Sequence, residues 1–153
     1  MSPNSIPRKI KSLLDLIRFD KPIGFALLVW PCWFALASFP INPLNNLKWY
    51  FFFLVGSFLM RSAGCIVNDL VDIKIDKKVE RTSQRPLVIK SVNISEAIIF
   101  LVLLLILSLL VLIQFNLNAI IIALLSIPLV ILYPYMKRFT YWPQLVLGFI
   151  FNW

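Results

Sequence analysis

Four apolar stretches, each close to the length a helix needs to cross a bilayer, dominate this sequence and restrict the folds open to it. Crossing ~30 Å of hydrocarbon takes about 17–25 helical residues. Stretches at about 22–39, 49–67, 95–115 and 118–135 approach or meet that length, and a fifth, 143–153, holds about half of what a span needs. Pro22 suits a first helical turn, Pro31 and Pro128 are expected to kink or interrupt their helices, and Ser95 is a plausible N-cap. The expected fold is all-α: a polytopic membrane helical bundle of about four complete transmembrane helices plus a truncated fifth, in one incomplete domain over 1–153.

Composition agrees with that reading. Hydrophobic residues make up 60% of the chain, against roughly 45–50% in a soluble domain, and the mean hydropathy is +0.87. A net charge of +8 would by itself suit nucleic acid or an anionic membrane face, and the apolar runs decide for membrane. The chain has no His, which excludes imidazole ligands, triads and acid–base chemistry. Cys32 and Cys65 lie inside apolar stretches and read as small buried hydrophobes. Any metal here is therefore expected on oxygen ligands. Arg8, Lys9, Lys11 and Arg18 in the first twenty residues, without a cleavable small-residue site, read as an amphipathic lead-in and not a signal peptide.

Loop charge sets an orientation. Residues 1–21 hold five Lys and Arg, residues 68–93 six and residues 136–142 two, whereas the opposite side has only Lys48 and Arg61 lies within a span. Lys and Arg stay in short cytosolic loops, so the amino-terminus and the charged loops are expected on the cytosolic side of the inner or cytoplasmic membrane.

Four of the seven acids, Asp69, Asp72, Asp76 and Glu80, fall within twelve residues directly after the second apolar stretch. If that helix continues, a step of about 100° per residue puts Asp72, Asp76 and Asp69 within about 100° of Asn68, with Arg61 on the same stripe. Like charges at i,i+4 repel, and a divalent cation removes the conflict. Carboxylate and amide oxygens suit a hard ion, and magnesium takes one or two carboxylates with waters and substrate phosphates. The competing reading is a solvated helix end whose acids pair with Lys74, Lys77, Lys78 and Arg81, although Lys74 and Lys78 point away from the stripe. Beyond the acids, Arg81, Thr82, Gln84 and Arg85 precede Pro86, and diphosphate is the natural ligand of such a loop because Arg donates two hydrogen bonds to phosphate. A plain positive-inside loop would explain the charge but not its adjacency to the acids. Lys137 and Arg138 carry the same two readings.

Asn68-Asp69-Leu-Val-Asp72-Ile-Lys-Ile-Asp76, followed by Val79-Glu-Arg81-Thr82-Ser-Gln-Arg85-Pro86-Leu87, resembles the first aspartate-rich motif of the intramembrane aromatic prenyltransferases. Asp20-Lys21-Pro22-Ile23-Gly24, Arg61-Ser-Ala-Gly64-Cys65 and Tyr133-Pro-Tyr-Met-Lys137-Arg138-Phe-Thr140-Tyr-Trp-Pro143-Gln144, with Leu147-Gly148, resemble the 4-hydroxybenzoate polyprenyltransferase branch. The resemblance covers essentially the whole chain and implies its amino-terminal half only of a nine-helix fold with a central cavity open to the cytosolic leaflet.

The resemblance also implies roles. Asn68 and Asp72 would coordinate Mg2+ on the prenyl diphosphate, with Asp69 and Asp76 supporting the site directly or through water. Arg81, Arg85, Lys137 and Arg138 would neutralise diphosphate, and Arg61 would face the aromatic acid's carboxylate or the diphosphate. The implied reaction joins a polyprenyl group from polyprenyl diphosphate to 4-hydroxybenzoate in ubiquinone biosynthesis. The family's second aspartate-rich motif does not occur before Trp153, so a complementary carboxy-terminal half is an expected partner, and this chain alone is expected to be inactive. Two other readings stand beside this one: an inactive truncated remnant, and a non-enzymatic membrane protein binding isoprenoid diphosphate or anionic lipid through its basic face. No nucleic acid partner is expected.

Overall fold

The computed structural model describes residues 8–38, 43–139, 141–151 and 153, and excludes the side chains of 43–46, 134, 137, 138, 143 and 151. The described residues form six α-helices and no strand: α1 (Arg8–Leu16), α2 (Ile23–Ala37), α3 (Pro43–Asp76), α4 (Ile94–Leu112), α5 (Leu117–Phe139) and α6 (Pro143–Phe151), with a 3₁₀ turn at Glu80–Thr82. Helix α3 is the axis, touching α1, α2, α4 and α5. Its 34 residues extend about 50 Å at 1.5 Å each, longer than the ~30 Å of hydrocarbon. The helix does continue through the acids without a break, so Asn68 and the three aspartates ride on one rigid element.

Leu47–Asp76 and Ile94–Leu112 are long and apolar enough to cross a membrane. Ile99, Val102, Leu103, Ile106 and Leu110 on α4, and Ile121, Ile122 and Leu125 on α5, are exposed. Contiguous apolar surface of this extent is rare on a soluble monomer, and a helix apolar all round belongs in a core or in lipid. Helices α2 and α5 run through Pro31 and Pro128 respectively. The N-cap of α4 is Asn93, not Ser95. The Asn93 N–H donates to the Glu96 carboxylate at 2.8 Å, the reciprocal arrangement of a capping box, which starts the helix two residues earlier than Ser95 would.

The tightly packed core sits at the acidic end of α3. Leu16 and Ile17 from the α1 end, Leu59, Ala63 and Ile66 from α3, Leu87 and Val92 from the following loop, and Ala97 and Leu104 from α4 bury one another. Helix α1 is amphipathic as expected: Leu13 and Leu14 pack on this core, while Arg8, Lys9 and Lys11 stay exposed. Lys9 pairs with the Glu96 carboxylate and its Nζ donates to the Ser91 carbonyl at 3.4 Å, tying α1 to the start of α4. The α1–α2 connection turns at Arg18, whose φ of 57° is left-handed.

Candidate functional site

The loop after α3 folds back over the helix end because it carries its own apolar anchors. Leu87 and Val92 are buried, and the Thr82 hydroxyl donates to the Asp76 carbonyl at 3.2 Å, closing the turn. Arg85 lies between these fixed points and is directed inward. Its Nη1 donates to Asp69 Oδ1 at 3.0 Å and to Asp76 Oδ2 at 2.6 Å. From the other side Arg18 Nη2 donates to the same Asp69 Oδ1 at 2.7 Å. Asp69, Asp72 and Asp76 are 2%, 8% and 5% exposed. Burying carboxylates is costly unless they are paired and hydrogen-bonded, and the two guanidinium groups meet that need for Asp69 and Asp76.

This differs from the pairing with nearby lysines and Arg81 that the sequence offered. Lys74, Lys77, Lys78 and Arg81 are exposed, and among the described residues none of them joins an ion pair with the acids. Asp69, Asp72 and Asp76 are buried at this helix end, while Glu80 and the lysines are exposed. Among the described residues no three acids are grouped as a metal cage, and the paired oxygens of Asp69 and Asp76 are engaged by arginine.

Beside this cluster lies a cavity of about 980 Å³. Helix α2 lines it along its whole length with a stripe at i, i+3, i+4 spacing: Gly24, Leu27, Leu28, Pro31, Cys32, Ala35 and Leu36. Helix α3 faces it with Phe53, Met60, Arg61, Gly64, Cys65 and Asn68, α5 with Ser126, Val130 and Tyr133, and α6 with Leu147 and Ile150. The wall is graded. Arg18, Arg61, Asn68 and Tyr133 gather towards the acidic end of α3, while Phe53, Ala35 and Leu36 form the opposite, apolar end. From Gly24 to Leu36 the stripe covers about 18 Å of helix.

A second cavity of about 410 Å³ opens between the α1–α2 turn and α3. Three cations, Arg18, Lys21 and Arg61, share its wall with Phe19, Phe25 and Phe58. Phe58 meets Phe19 and Phe25 edge to face, with ring centroids 6.0 Å apart in each case. Arg18 and Arg61 line both cavities and so form the wall between them. The arrangement offers a cationic, aromatic-walled chamber joined to a long apolar groove.

The structure brings Arg61 and Asn68 to the groove, as one stripe of α3 should. Asp69, Asp72, Asp76, Arg81 and Arg85 line neither cavity, although Asp72 is one helical turn from Asn68. Lys137 and Arg138 belong to α5, and their side chains lie outside the described residues. Both cysteines are free; Cys65 is buried as expected, whereas Cys32 is half-exposed and borders the groove. Sequence reasoning gave Arg18, Lys21, Gly24 and Tyr133 no role in the site. Positive-inside charge places Arg18 and Lys21 near a membrane face without assigning either a partner.

The UbiA prenyltransferase family profile matches residues 28–153. The mitochondrial 4-hydroxybenzoate polyprenyltransferase of Caenorhabditis elegans is 49% identical over 150 residues, covering 97% of this chain and 42% of that protein. The 4-hydroxybenzoate octaprenyltransferase of Vibrio cholerae is 44% identical over 145 residues, covering 95% of this chain and 51% of that protein. The chain thus spans about half the length of these curated relatives. An apo structure of a UbiA homolog from Aeropyrum pernix K1 aligns with a TM-score of 0.66 at 22% identity, over 93% of this chain and 46% of that one. That similarity establishes a shared fold.

Proposed function

The chain belongs to the UbiA prenyltransferase family, and from that premise we propose that it supplies the amino-terminal part of an enzyme transferring a polyprenyl group from polyprenyl diphosphate to the ring of 4-hydroxybenzoate in ubiquinone biosynthesis. The carrying observation is the graded groove, cationic at the acidic end of α3 and apolar for about 18 Å beyond. Such a wall suits an amphiphile with an anionic head and a hydrocarbon tail. The smaller chamber, with three cations and three phenyl rings, suits an aromatic carboxylate beside that head. Arg61, shared by both, is placed to hold the carboxylate or the diphosphate by bidentate hydrogen bonds.

Asn68 and Asp72 present hard oxygens one turn apart on α3, a donor set that fits magnesium, which needs few protein ligands when phosphates and waters complete its shell. Bound there, magnesium would stabilise charge on the departing diphosphate. Asp69 and Asp76 support the site by fixing Arg18 and Arg85, and Arg81, Arg85, Lys137 and Arg138 supply the remaining positive charge. In the reaction the allylic C–O bond breaks, its electron pair leaves with diphosphate, and the ring carbon ortho to the phenol oxygen forms the new C–C bond; loss of the ring proton restores aromaticity. No side-chain nucleophile takes part.

The protein is multi-pass, with its amino-terminus and charged loops cytosolic, and a complementary carboxy-terminal half completes the cavity. The test is reconstitution in liposomes with such a half, magnesium, 4-hydroxybenzoate and a polyprenyl diphosphate. Prenylated 4-hydroxybenzoate is expected, and Asp72→Ala should lower turnover by at least about two orders of magnitude, the scale of losing transition-state charge stabilisation. Absence of product from the complete assembly refutes the reading, and a fully active Asp72→Ala variant refutes the metal assignment.

A further inference from the structure

Arg61 separates the two cavities, yet it is a long flexible side chain, and something must hold its guanidinium at the partition. The neighbour is Gly24, in the first turn of α2. A Cβ placed on Gly24 would stand 2.5 Å from Arg61 Nε, 2.8 Å from Nη2 and 3.0 Å from Cζ, well inside the roughly 3.5–4.0 Å of favourable contact. Nothing in the backbone calls for glycine here, since no glycine of the chain has a positive φ and helices disfavour glycine. The other glycines differ. A Cβ at Gly64 or Gly148 would meet nothing within 4 Å, and at Gly56 it would make an ordinary 3.6 Å contact with Val111.

We propose that Gly24 is a positioning residue: its missing side chain is the seat in which the Arg61 guanidinium lies, and this seat fixes the anion-binding fork at the junction of groove and chamber. Calling Arg61 an anion-binding group rests on the function proposed above. The seat itself does not. A methyl group at Gly24 displaces the far end of a flexible side chain and not a backbone, so α2 still forms; alanine is also the better helix former. The lesion therefore falls on Arg61 and spares the fold.

Two measurements on the purified chain in detergent test this. The first is the set of arginine Nε–Hε NMR correlations, with Arg61 assigned by its loss in Arg61→Lys. Gly24→Ala should move the Arg61 signal and leave those of Arg18 and Arg85 in place; an unmoved Arg61 signal overturns the proposal, whatever the chain binds. The second is calorimetric binding of 4-hydroxybenzoate and of inorganic diphosphate. Gly24→Ala should weaken at least one anion by about tenfold, the size of one charge-assisted hydrogen bond, and should change nothing further in an Arg61→Ala background. The same loss in that background would show that the methyl group acts by filling the groove, and would also overturn the proposal. If the unaltered chain, assembled with the carboxy-terminal half and magnesium, binds neither anion, the proposed function fails while the NMR result still decides the role of Gly24.

Discussion

Among single residues, Asp69 is fixed from two sides. It is 2% exposed, and one of its oxygens accepts from two guanidinium groups that come from opposite directions in the sequence. The pairing with Arg18 spans 51 residues, and Arg18 itself has a left-handed backbone conformation, which costs a residue with a Cβ about 1–2 kcal/mol. Asp69→Ala removes the charge-assisted hydrogen bonds of two half-buried guanidinium groups, of which Arg85 keeps Asp76, and should destabilise the chain by about 3 kcal/mol. Arg18→Ala should cost less, about 1–2 kcal/mol, because Arg85 still neutralises the carboxylate. Denaturant unfolding in detergent micelles measures both, and equal costs would show that Arg18 bears as much of the pairing as Asp69 itself. The acids were legible as one helical stripe. Their partners were not, because no local spacing relates residue 18 to residue 69.

At the scale of elements, α1 depends on its neighbours. Nine residues are too few for an isolated helix in water, so its order comes from docking. Leu16 is fully buried against a core that includes Ile66 and Ala63 of α3. Leu16→Ala should cost about 2–4 kcal/mol through lost burial and the cavity left behind. Because Arg18 lies two residues further on, loosening α1 should also release the Arg18–Asp69 contact. Hydrogen exchange should then accelerate across Arg8–Leu16 while α4 keeps its protection; unchanged exchange in α1 would mean that its polar ties to Glu96 and Ser91 suffice to hold it. The start of α4 shows the limit of reading caps from one residue type: serine at 95 and asparagine at 93 both qualify, and Glu96 selects the residue three positions before it.

At the scale of the whole molecule, the surface has two characters. Apolar side chains of α4 and α5 face outward, whereas Lys74, Lys77, Lys78 and Arg81 crowd the loop end of α3. The proposed orientation puts that end in the cytosol. A Lys78→Cys variant in intact cells should accept a membrane-impermeant maleimide only after the membrane is opened. Cys65 is 1% exposed and should add little background, and Cys32→Ser removes the half-exposed thiol. Labelling from outside the intact cell would reverse the topology.

Local periodicity and the length of apolar runs suffice to read the helical, membrane-type architecture and the oxygen-bearing stripe of α3 from the sequence, whereas the 34-residue extent of α3 exceeds its apolar run at both ends. Family kinship was legible for the same reason, in motifs that are continuous in the chain. Tertiary structure alone decided that Asp69 and Asp76 meet Arg18 and Arg85 and not the nearby lysines, that Arg61 divides a graded groove from a cationic chamber, and that Gly24 is open for a guanidinium and not for a turn. Those outcomes depend on how α1, α2 and the 77–93 loop fold back onto α3. The folding back is set by burial of Leu16, Leu87 and Val92, a cooperative, non-directional force that no spacing within a single helix encodes.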